Sequence, residues 1–382
     1  PLCGQLVIDN AINANAAVQN VLLGAGVTAS NITFQGDNAQ IGSFSCGGAC
    51  GLGIANGLII GTGSVDGADG PNNSGSWALG PPDGSDGVGD VDLENLSGMN
   101  LNNTAILEFD FIPTGDSLSF NYVFSSEEYP EFVNSINDAF GFFLSGPGIA
   151  GPYTNNAINI ALIPGSSTPI SINTVNDQLN TQYYIDNFGD TELQADGLTT
   201  VLAAQAEVIC GQTYHIKIVI GDASDGIYDS WVYLEGGSFQ SNQLDLAYTA
   251  PNLSSPNGGM YEGCEPANLV FTRDGGLANA QTYTYTITGS AQQNVDFTIA
   301  APTIVFPVGI AQVIVPITAI ADGVLEVTEQ FTFTLNESSC GAAPYTVDVF
   351  IQDLPDLIVT ITDTTIQCGG QVSLTPQVSG GL

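Results

Sequence analysis

The sequence predicts a mainly β protein made of tandem antiparallel β-sandwiches, the first of which carries one or two short helices. Short β-branched and aromatic runs recur between Gly, Asn, Asp and Pro residues along the chain, as is typical of sandwich strands. With 382 residues, 43% of them hydrophobic, the chain has enough apolar material for two or three cores. No apolar run approaches the ~20 residues that a membrane-spanning helix needs.

Strands are predicted wherever these runs are longest. The clearest are 105–111, 117–124, 213–220, 282–287, 312–318 and 330–335. Apolar residues at helical spacing predict one helix near the start, where Asp9 can cap it and Gly24 can end it. A second short helix is predicted around Thr199–Ala206.

Breaks in the strand pattern predict three domains. Dilution near 241–257 and the Asp353–Asp356 segment divide the chain into residues 1–243, 244–355 and 356–382, the last a truncated β domain. Within the first domain, residues 62–100 form a Gly-, Asp- and Asn-rich stretch. A loop of that length is usually functional or mobile.

The charge is strongly one-sided, at −37 with only Lys217 and Arg273 as strong cations. Nucleic acid is excluded as a partner because phosphate contacts need several Lys or Arg, and insertion into a membrane is not expected. Carboxylates gathered in Asn- and Gly-rich loops favour Ca²⁺, which takes oxygen ligands from short, flexible turns. The alternative is that the acids are dispersed over a solvated surface and maintain solubility.

The seven cysteines and the lone histidine form no zinc pattern. We therefore expect disulfides, in a protein secreted to the cell surface after signal-peptide removal. The pairings considered are Cys46–Cys50, Cys264–Cys340 and, by elimination, Cys3–Cys210. Cys368 is left over, which suggests a partner beyond the end of this chain.

Three groups of acids are candidate metal ligands. Asp222, Asp225 and Asp229 share one short loop, where they either fold around a cation or satisfy a polar turn. A second group is Glu127, Glu128 and Asp138, in which both Glu side chains can face one site only if the backbone turns. The third group comprises Asp83, Asp86, Asp90 and Asp92, in either a Ca²⁺ loop or a mobile flap.

An enzyme is not expected, although Glu127, Glu128 and Asp138 also suit a carbohydrate-binding or carbohydrate-cleaving module. Cleavage would need two carboxyl groups ~5–10 Å apart. The chain has no nucleophile elbow, HExxH helix or phosphate loop. His215 lies in a strand-like run and fits a structural role better than a catalytic one.

Other polar and aromatic positions have surface roles to weigh. Trp77 lies in a Gly- and Asn-rich loop, where it could stack on a sugar or a neighbouring subunit, whereas Trp231 is predicted to be in the core. Ser117 and Thr364 fit the Asp-Ser/Thr-aliphatic pattern of O-glycosylation in some surface-motile bacteria.

The first 240 residues resemble the choice-of-anchor L domain of large secreted bacterial surface proteins. The resemblance rests on the segments FNYVFSSEEYPEF (120–132), NDAFGFFLS (137–145) and IGDASDGIYDSW (220–231). It implies a surface protein without established catalytic activity.

Residues 261–353 resemble a Calx-beta domain, a seven-stranded sandwich with acids at one end that can bind Ca²⁺. The matching positions are Glu262, Asn294–Phe297, Asp322, Glu326, Glu329, Gln330–Leu335 and Ile351–Asp353. The resemblance therefore implies Ca²⁺ ligands at Glu262, Asp296, Asp322, Glu326 and Asp353. At Gly323, where the family commonly has a second acid, this chain departs from the pattern.

Residues 368–382 resemble the first half of a PKD-type repeat from gliding adhesins. Together these features favour a non-enzymatic extracellular adhesin, with a binding or assembly domain followed by spacers that Ca²⁺ stiffens. Its partner would be a cell-surface or extracellular polymer, or other copies of itself. A subunit of a homopolymeric fibre remains the second alternative beside the carbohydrate module.

Overall fold

The computed structural model describes residues 6–46, 50–82, 84, 87–135, 138–190, 192–223, 225–241, 244–273, 280–300, 302–336, 345–361 and 365–379. Most of the described residues in regular structure are in antiparallel strands, which confirms the predicted fold class. The described chain divides into a first unit, which ends at residue 241, and a second unit, which starts at Leu244. None of the helices in the described ranges is both long and apolar enough to cross a membrane.

The first unit contains fourteen described strands, β1 to β14. Their bounds are Leu6–Asp9, Val27–Gln35, Ile41–Cys46, Asn56–Gly61, Leu101–Pro113, Ser117–Ser126, Ala139–Ser145, Ile158–Asn159, Tyr184–Asp186, Gly197–Thr199, Leu202–Glu207, Tyr214–Ala223, Ser230–Glu235 and Gln240–Ser241. The helices are α1 (Ala14–Ala16), which continues as a π-helix over Ala17–Leu22, and α2 (Val91–Ser97). Short 3₁₀ turns occupy Asn38–Gln40, Val65–Ala68, Thr154–Asn156 and Thr181–Tyr183.

These strands form two sheets that pack face to face. One has nine strands, with β1-β3-β4-β13-β6-β10-β9 as its main path and with β11 and β14 also paired to β6. The other has five, in the order β2-β5-β12-β7-β8. Alternating residues of β6 and β12, such as Phe120, Tyr122, Ile216 and Ile218, meet in one buried core because strand side chains alternate between faces.

The outer faces of both sheets are also covered. Trp231 and Tyr233 of β13 pack beneath loop residues such as Leu52 and Leu193, so Trp231 is a core residue, as predicted. Leu93 of α2 packs with Val219 on the outer face of the five-stranded sheet. Helix α2 lies within residues 62–100, for which the sequence predicted only a long loop.

Two details of the predicted helices are wrong. The cap of the first helix is Asn13, whose side chain accepts from the Ala16 N–H, while Asp9 belongs to β1. The segment Thr199–Ala206 is not a helix but runs from β10 into β11, paired to β6. Pairing across a sheet has overridden the local helix preference of its alanines and leucine.

The second unit contains twelve described strands, β15 to β26. Their bounds are Leu244–Thr249, Met260–Tyr261, Ala267–Arg273, Gln281–Tyr283, Tyr285–Gly289, Phe297–Ile299, Ile304–Phe306, Gln312–Ala319, Glu329–Leu335, Thr346–Gln352, Ile358–Thr360 and Gln377–Ser379. Two four-stranded sheets, β15-β17-β22-β20 and β16-β24-β23-β19, enclose a core that includes stacked Phe297 and Phe331.

Two further strand pairs complete the described second unit, β18 with β21 and β25 with β26. The last pair is exposed throughout. The second strand of this pair begins at Gln377. The assignment of residues 356–382 to a separate PKD-type domain stays a prediction.

Candidate functional site

Six acids of the second unit meet at one end of its sandwich, and we call them the second-unit acid cluster. They are Glu262, Asp296, Asp322, Glu326, Glu329 and Asp353. Antiparallel pairing explains the meeting. Asp296 immediately precedes β20, whose first residue Phe297 pairs with Ala319 at the end of β22. Glu329 at the start of β23 likewise pairs with Ile351 near the end of β24.

The tightest part of this cluster is a triad. Carboxylate oxygens of Asp296, Glu326 and Glu329 all lie within 4.8 Å of one another. Desolvation, and then the carboxylate of Asp296, raise the pKa of Glu329. Desolvation followed by the charges of Asp353 and Asp322 raises the pKa of Glu262. The acids are therefore close enough to repel one another, and their oxygens suit a hard cation such as Ca²⁺.

Backbone contacts hold the loops of this cluster in place. The Glu326 N–H donates to Asp353 Oδ2 over 2.7 Å, and the Gln292 N–H donates to Asp296 Oδ2 over 2.6 Å. The Val324 N–H donates to Asp322 Oδ1 over 2.7 Å. Glu326 and Asp322 are exposed, whereas Asp296 is buried. The resemblance named five of these six acids as ligands, and the structure adds Glu329.

Acids also meet at one end of the first-unit sandwich, and we call Glu128, Asp138, Asp222, Asp225 and Asp229 the first-unit acid cluster. Glu128 follows β6, and Asp138 and Asp229 immediately precede β7 and β13. Asp222 is the second-to-last residue of β12, just before the chain crosses to the other sheet. Glu128, Asp138, Asp222 and Asp229 are each at most 1% exposed, and Asp225 is half-buried.

Asp138 joins the two sheets of the first unit. Its Oδ1 accepts from the Ala223 N–H of β12 over 3.1 Å, and its Oδ2 accepts from the Ser230 hydroxyl of β13 over 2.8 Å. Burial raises the pKa of Asp138, even though these two hydrogen bonds act in the opposite direction. This carboxyl therefore secures the point where the chain passes from one sheet to the other.

Asp222 and Asp229 are held by neutral donors. Asn103 Nδ2 donates to Asp222 Oδ2 over 2.8 Å, and the Leu79 N–H donates to Asp229 Oδ2 over 2.6 Å. A Cβ at Gly63 would lie 2.4 Å from the Asp229 carboxylate, so glycine is needed there to make room. Burial raises the pKa of Asp229 to about 6. For Asp222, burial and then the Asp138 charge raise the pKa well above its usual range.

Glu127 and Glu128 turn in different directions after β6 ends at Ser126. Glu127 Oε2 accepts from the Trp77 N–H over 3.0 Å and Oε1 accepts from Gln194 Nε2 over 3.4 Å. Burial raises the pKa of both side chains to about 8, but the next charges differ: Asp196 acts on Glu127, and Asp138 acts on Glu128. Glu128 thus belongs to the first-unit acid cluster, whereas Glu127 faces Asp196.

Sequence reasoning missed Asp196, which is fully buried. Its Oδ1 accepts from Asn72 Nδ2 over 2.8 Å, while its Oδ2 has no hydrogen-bond partner. Burial raises its pKa to about 6. The local sequence signal at this position is the Asp-Gly pair at 196–197, and such a pair usually predicts a turn, not a buried acid. Its burial depends on distant residues that no local pattern reveals.

Asp90 and Asp92 bind the lysine of the first unit. Lys217 Nζ lies 2.5 Å from Asp90 Oδ2 and 2.7 Å from Asp92 Oδ2. Asp90 also caps α2 by accepting from the Asp92 and Leu93 N–H groups. The sequence suggested Ca²⁺ as the counter-charge for Asp90 and Asp92. In the structure the ammonium group of Lys217 contacts both carboxylates instead. Asp83 and Asp86 lie outside the described residues.

His215 lies two residues before Lys217 on the same outer face of β12. Its Nδ1 is 2.8 Å from Asp110 Oδ1, and its Nε2 is 3.5 Å from Glu108 Oε1. The hydrogen bond to Glu108 raises the histidine pKa despite partial burial. These contacts stay within the sheet, in agreement with the expected structural role.

The cysteines are partly described. Cys46 and Cys50 form the predicted disulfide. Cys210 takes part in a disulfide, but Cys3, its predicted partner, lies outside the described residues. Cys264 and Cys368 form no disulfide within the described part of the chain. Because Cys340 also lies outside it, the Cys264–Cys340 pairing stays a prediction.

The surface positions differ in accessibility. Trp77 is 39% exposed in its loop, close to Gly67. The Ser117 hydroxyl is buried, because the residue opens β6 opposite Glu207. The residue as a whole is half-buried, and its glycan stays a prediction. Thr364 lies outside the described residues.

Two family models match the chain. Residues 7–240 match the Choice-of-anchor L domain, and residues 252–365 match the Calx-beta domain. Both are families of non-catalytic domains found in surface-associated β-sandwich proteins, and Calx-beta domains typically bind calcium. The PKD-type resemblance of residues 368–382 stays a prediction. The comparison with curated proteins finds no match.

Proposed function

Because the chain belongs to the choice-of-anchor L family, we propose that it is part of an extracellular cell-surface adhesin or filament protein. In this proposal the first unit presents the binding or assembly surface. The second unit, similar to a Calx-beta domain, is a spacer that Ca²⁺ stiffens at the second-unit acid cluster. The cation would bind carboxylates from separate loops, neutralise their repulsion and reduce loop freedom.

The observation that supports the spacer role most directly is the Asp296, Glu326 and Glu329 triad. Its three oxygens come from the residue before β20, from the loop between β22 and β23, and from the first residue of β23. Distances below 4.8 Å fit several oxygens around one Ca²⁺, whose Ca–O distances are about 2.3–2.6 Å. A cation there ties the loop before β23 to the sandwich.

The binding surface of the first unit is supported by its exposed apolar loops. Trp77, Leu79 and Phe188 are 39%, 42% and 65% exposed. A Cβ at Gly75 would lie 3.4 Å from the Phe188 ring, and one at Gly67 would lie 3.3 Å from Trp77 Nε1 and from Leu79 Cβ. Exposed rings on loops of this kind suit stacking on a sugar ring or packing against a second copy.

A carbohydrate-cleaving module has less support. The carboxyls of Glu127, Glu128 and Asp138 would be its catalytic groups, but all three residues are at most 1% exposed. Glu127 and Glu128 also face different neighbours. A polymer chain has no route to these groups in this structure, so the adhesin proposal is preferred.

Calorimetric unfolding of the full chain tests the spacer role. At a Ca²⁺ concentration of one hundred times Kd, we expect the free energy of unfolding of the second unit to rise by about 2.7 kcal/mol. Chelation should reverse this rise. The double substitution Glu326→Gln with Glu329→Gln should remove the response, whereas Asp348→Asn, on β24 away from the cluster, should keep it. A wild-type transition that ignores Ca²⁺ would refute the stiffening. Adhesion assays and microscopy for filaments then separate a polymer ligand from self-assembly.

A further inference from the structure

The first-unit acid cluster has no compensating cation among the residues that the structure describes. The first unit has one Lys and one His, both on β12. Lys217 is held by Asp90 and Asp92, and His215 by Glu108 and Asp110. Charge compensation for the cluster must therefore come from protons or from a bound ion, because isolated buried carboxylates are very costly.

Two oxygens of this cluster are buried without any hydrogen-bond partner. They are Glu128 Oε2 and Asp222 Oδ1, each on a side chain about 1% exposed. Such orphaned acceptors are rare, since a buried oxygen without a donor costs about 1–3 kcal/mol. The Asp138 carboxylate is close enough to repel both side chains. The charge of one carboxylate, that of Asp138, thus acts on both side chains that carry an orphaned oxygen.

We propose that the first-unit acid cluster binds one divalent cation of the Ca²⁺ class through Glu128, Asp138 and Asp222. The donors are all oxygens, and neither His nor Cys is among them, which disfavours zinc. Half-buried Asp225, between β12 and β13, is the most accessible acid of the cluster. This site lies in a different unit from the triad proposed above and goes beyond that function.

The cation would need further oxygen ligands besides these three carboxylates. Among the described residues, the first unit has no carboxylate triad as close as Asp296, Glu326 and Glu329. Ca²⁺ commonly completes its six to eight ligands with water and backbone oxygens. The charge of Asp225 acts on both Glu128 and Asp138, while Asp138 is hydrogen-bonded to both sheets.

Tryptophan fluorescence tests this site separately, because Trp77 and Trp231 are the chain's two tryptophans and both belong to the first unit. The full chain is stripped with chelator at pH 8 and titrated with CaCl₂. Tm is followed by selective tryptophan excitation, and bound Ca²⁺ per chain is counted by equilibrium dialysis. The variants are Asp222→Asn and Glu128→Gln, which remove charge with little change in shape. Asp177→Asn, at an exposed acid of the same unit, is the matched control.

We expect Ca²⁺ to raise the tryptophan-detected Tm of the wild type and of Asp177→Asn. Each cluster variant should bind Ca²⁺ about tenfold or more weakly at this site, because affinity follows the number of charged ligands. Each should also lose about one ion per chain in the dialysis count. The double variant Glu326→Gln with Glu329→Gln should keep the tryptophan response, so failure of the second-unit site would be seen separately by calorimetry.

Two results would overturn the proposal. One is a wild-type tryptophan transition that does not respond to Ca²⁺, which would mean that protons alone neutralise these acids. The other is an equal response in the wild type and in both cluster variants. If Asp222→Asn does not fold, Glu128→Gln decides the question, since its Oε2 has no partner to lose.

Discussion

The two units place their acids in opposite environments at topologically similar positions. In both, strand ends bring carboxylates to one end of a sandwich. In the first unit, Glu128, Asp138, Asp222 and Asp229 are at most 1% exposed. In the second, Asp322 and Glu326 are exposed and only Asp296 and Glu262 are nearly covered.

This difference teaches that the number of acids alone does not set their effect. Water screens and solvates exposed carboxylates, so mutual repulsion costs little there. Buried carboxylates lose that solvation, and the protein must hold them protonated or supply a counter-charge. The first unit should therefore respond strongly to changes of charge, and the second unit weakly.

The largest effect is expected at the ion pair on the outer face of the five-stranded sheet. Lys217→Met leaves Asp90 and Asp92 facing each other without their ammonium, so the first unit should lose about 3–5 kcal/mol. Chemical denaturation followed by tryptophan fluorescence measures this. Glu94→Gln on the same helix is the control and should stay within about 0.5 kcal/mol. A loss below about 1 kcal/mol for Lys217→Met would contradict the role of this pair.

The pH dependence should come next in size. Glu127 and Glu128 have folded pKa values of about 8 against an ordinary 4.5. Between these values the folded state binds more protons than the unfolded state, so stability falls as pH rises. The raised pKa of His215 acts in the same direction as pH passes through its folded value. Glu108 and Asp110, whose pKa values are lowered, lose their contribution only in acid below this window.

With chelator present, the first-unit transition should therefore be more stable at pH 5 than at pH 8, on the order of 3 kcal/mol. Tryptophan-detected denaturation at the two pH values measures it. The double substitution Glu127→Gln with Glu128→Gln should reduce the dependence, and the part that remains should come from buried acids with raised pKa values such as Asp138 and Asp222. If the stability of the wild-type first unit stays the same or rises between pH 5 and pH 8, these acids are ionised in the folded protein.

Neutralising two acids in each unit compares the environments directly. In chelator at pH 8, Glu128→Gln with Asp222→Asn should stabilise the first unit by about 2 kcal/mol, since two buried charges disappear. Glu326→Gln with Glu329→Gln should stabilise the second unit far less, because Glu326 is exposed and solvent screens its charge. Calorimetry resolves the two transitions. Equal gains would mean that burial does not distinguish the clusters.

The smallest stability effect belongs to an exposed aromatic side chain. Trp77→Ala should change first-unit stability by less than about 0.5 kcal/mol, because its backbone N–H, not its ring, contacts Glu127. If the proposed binding or assembly surface is correct, binding to an extracellular polymer, or self-assembly, should nevertheless drop. Leu253→Ala, an exposed apolar residue of the second unit, is the matched control. Full binding by Trp77→Ala would remove this loop from the proposed surface.

Most of the strands could be predicted from the sequence, because alternation of apolar and polar residues is a local pattern. The alternation in 213–220 predicts β12, and family resemblance identifies the acids of the second unit. Local patterns could not show that Thr199 enters β10 or that Lys217 contacts Asp90, because both depend on pairing across more than seventy residues. Nor could they show that adjacent Glu127 and Glu128 separate. Burial of Asp196 is likewise a property of the assembled sheets.

Strand β6 has a consequence for the order in which the first unit can fold. It is hydrogen-bonded along its edges by β10, β11, β13 and β14, all of which come at least seventy residues later in the sequence. None of its neighbours exists when its own residues leave a ribosome or a secretion channel. The nine-stranded sheet can therefore close only after residue 241 has emerged. Until then β6 lacks the strands that pair with it, so this sheet forms late relative to the synthesis of β6.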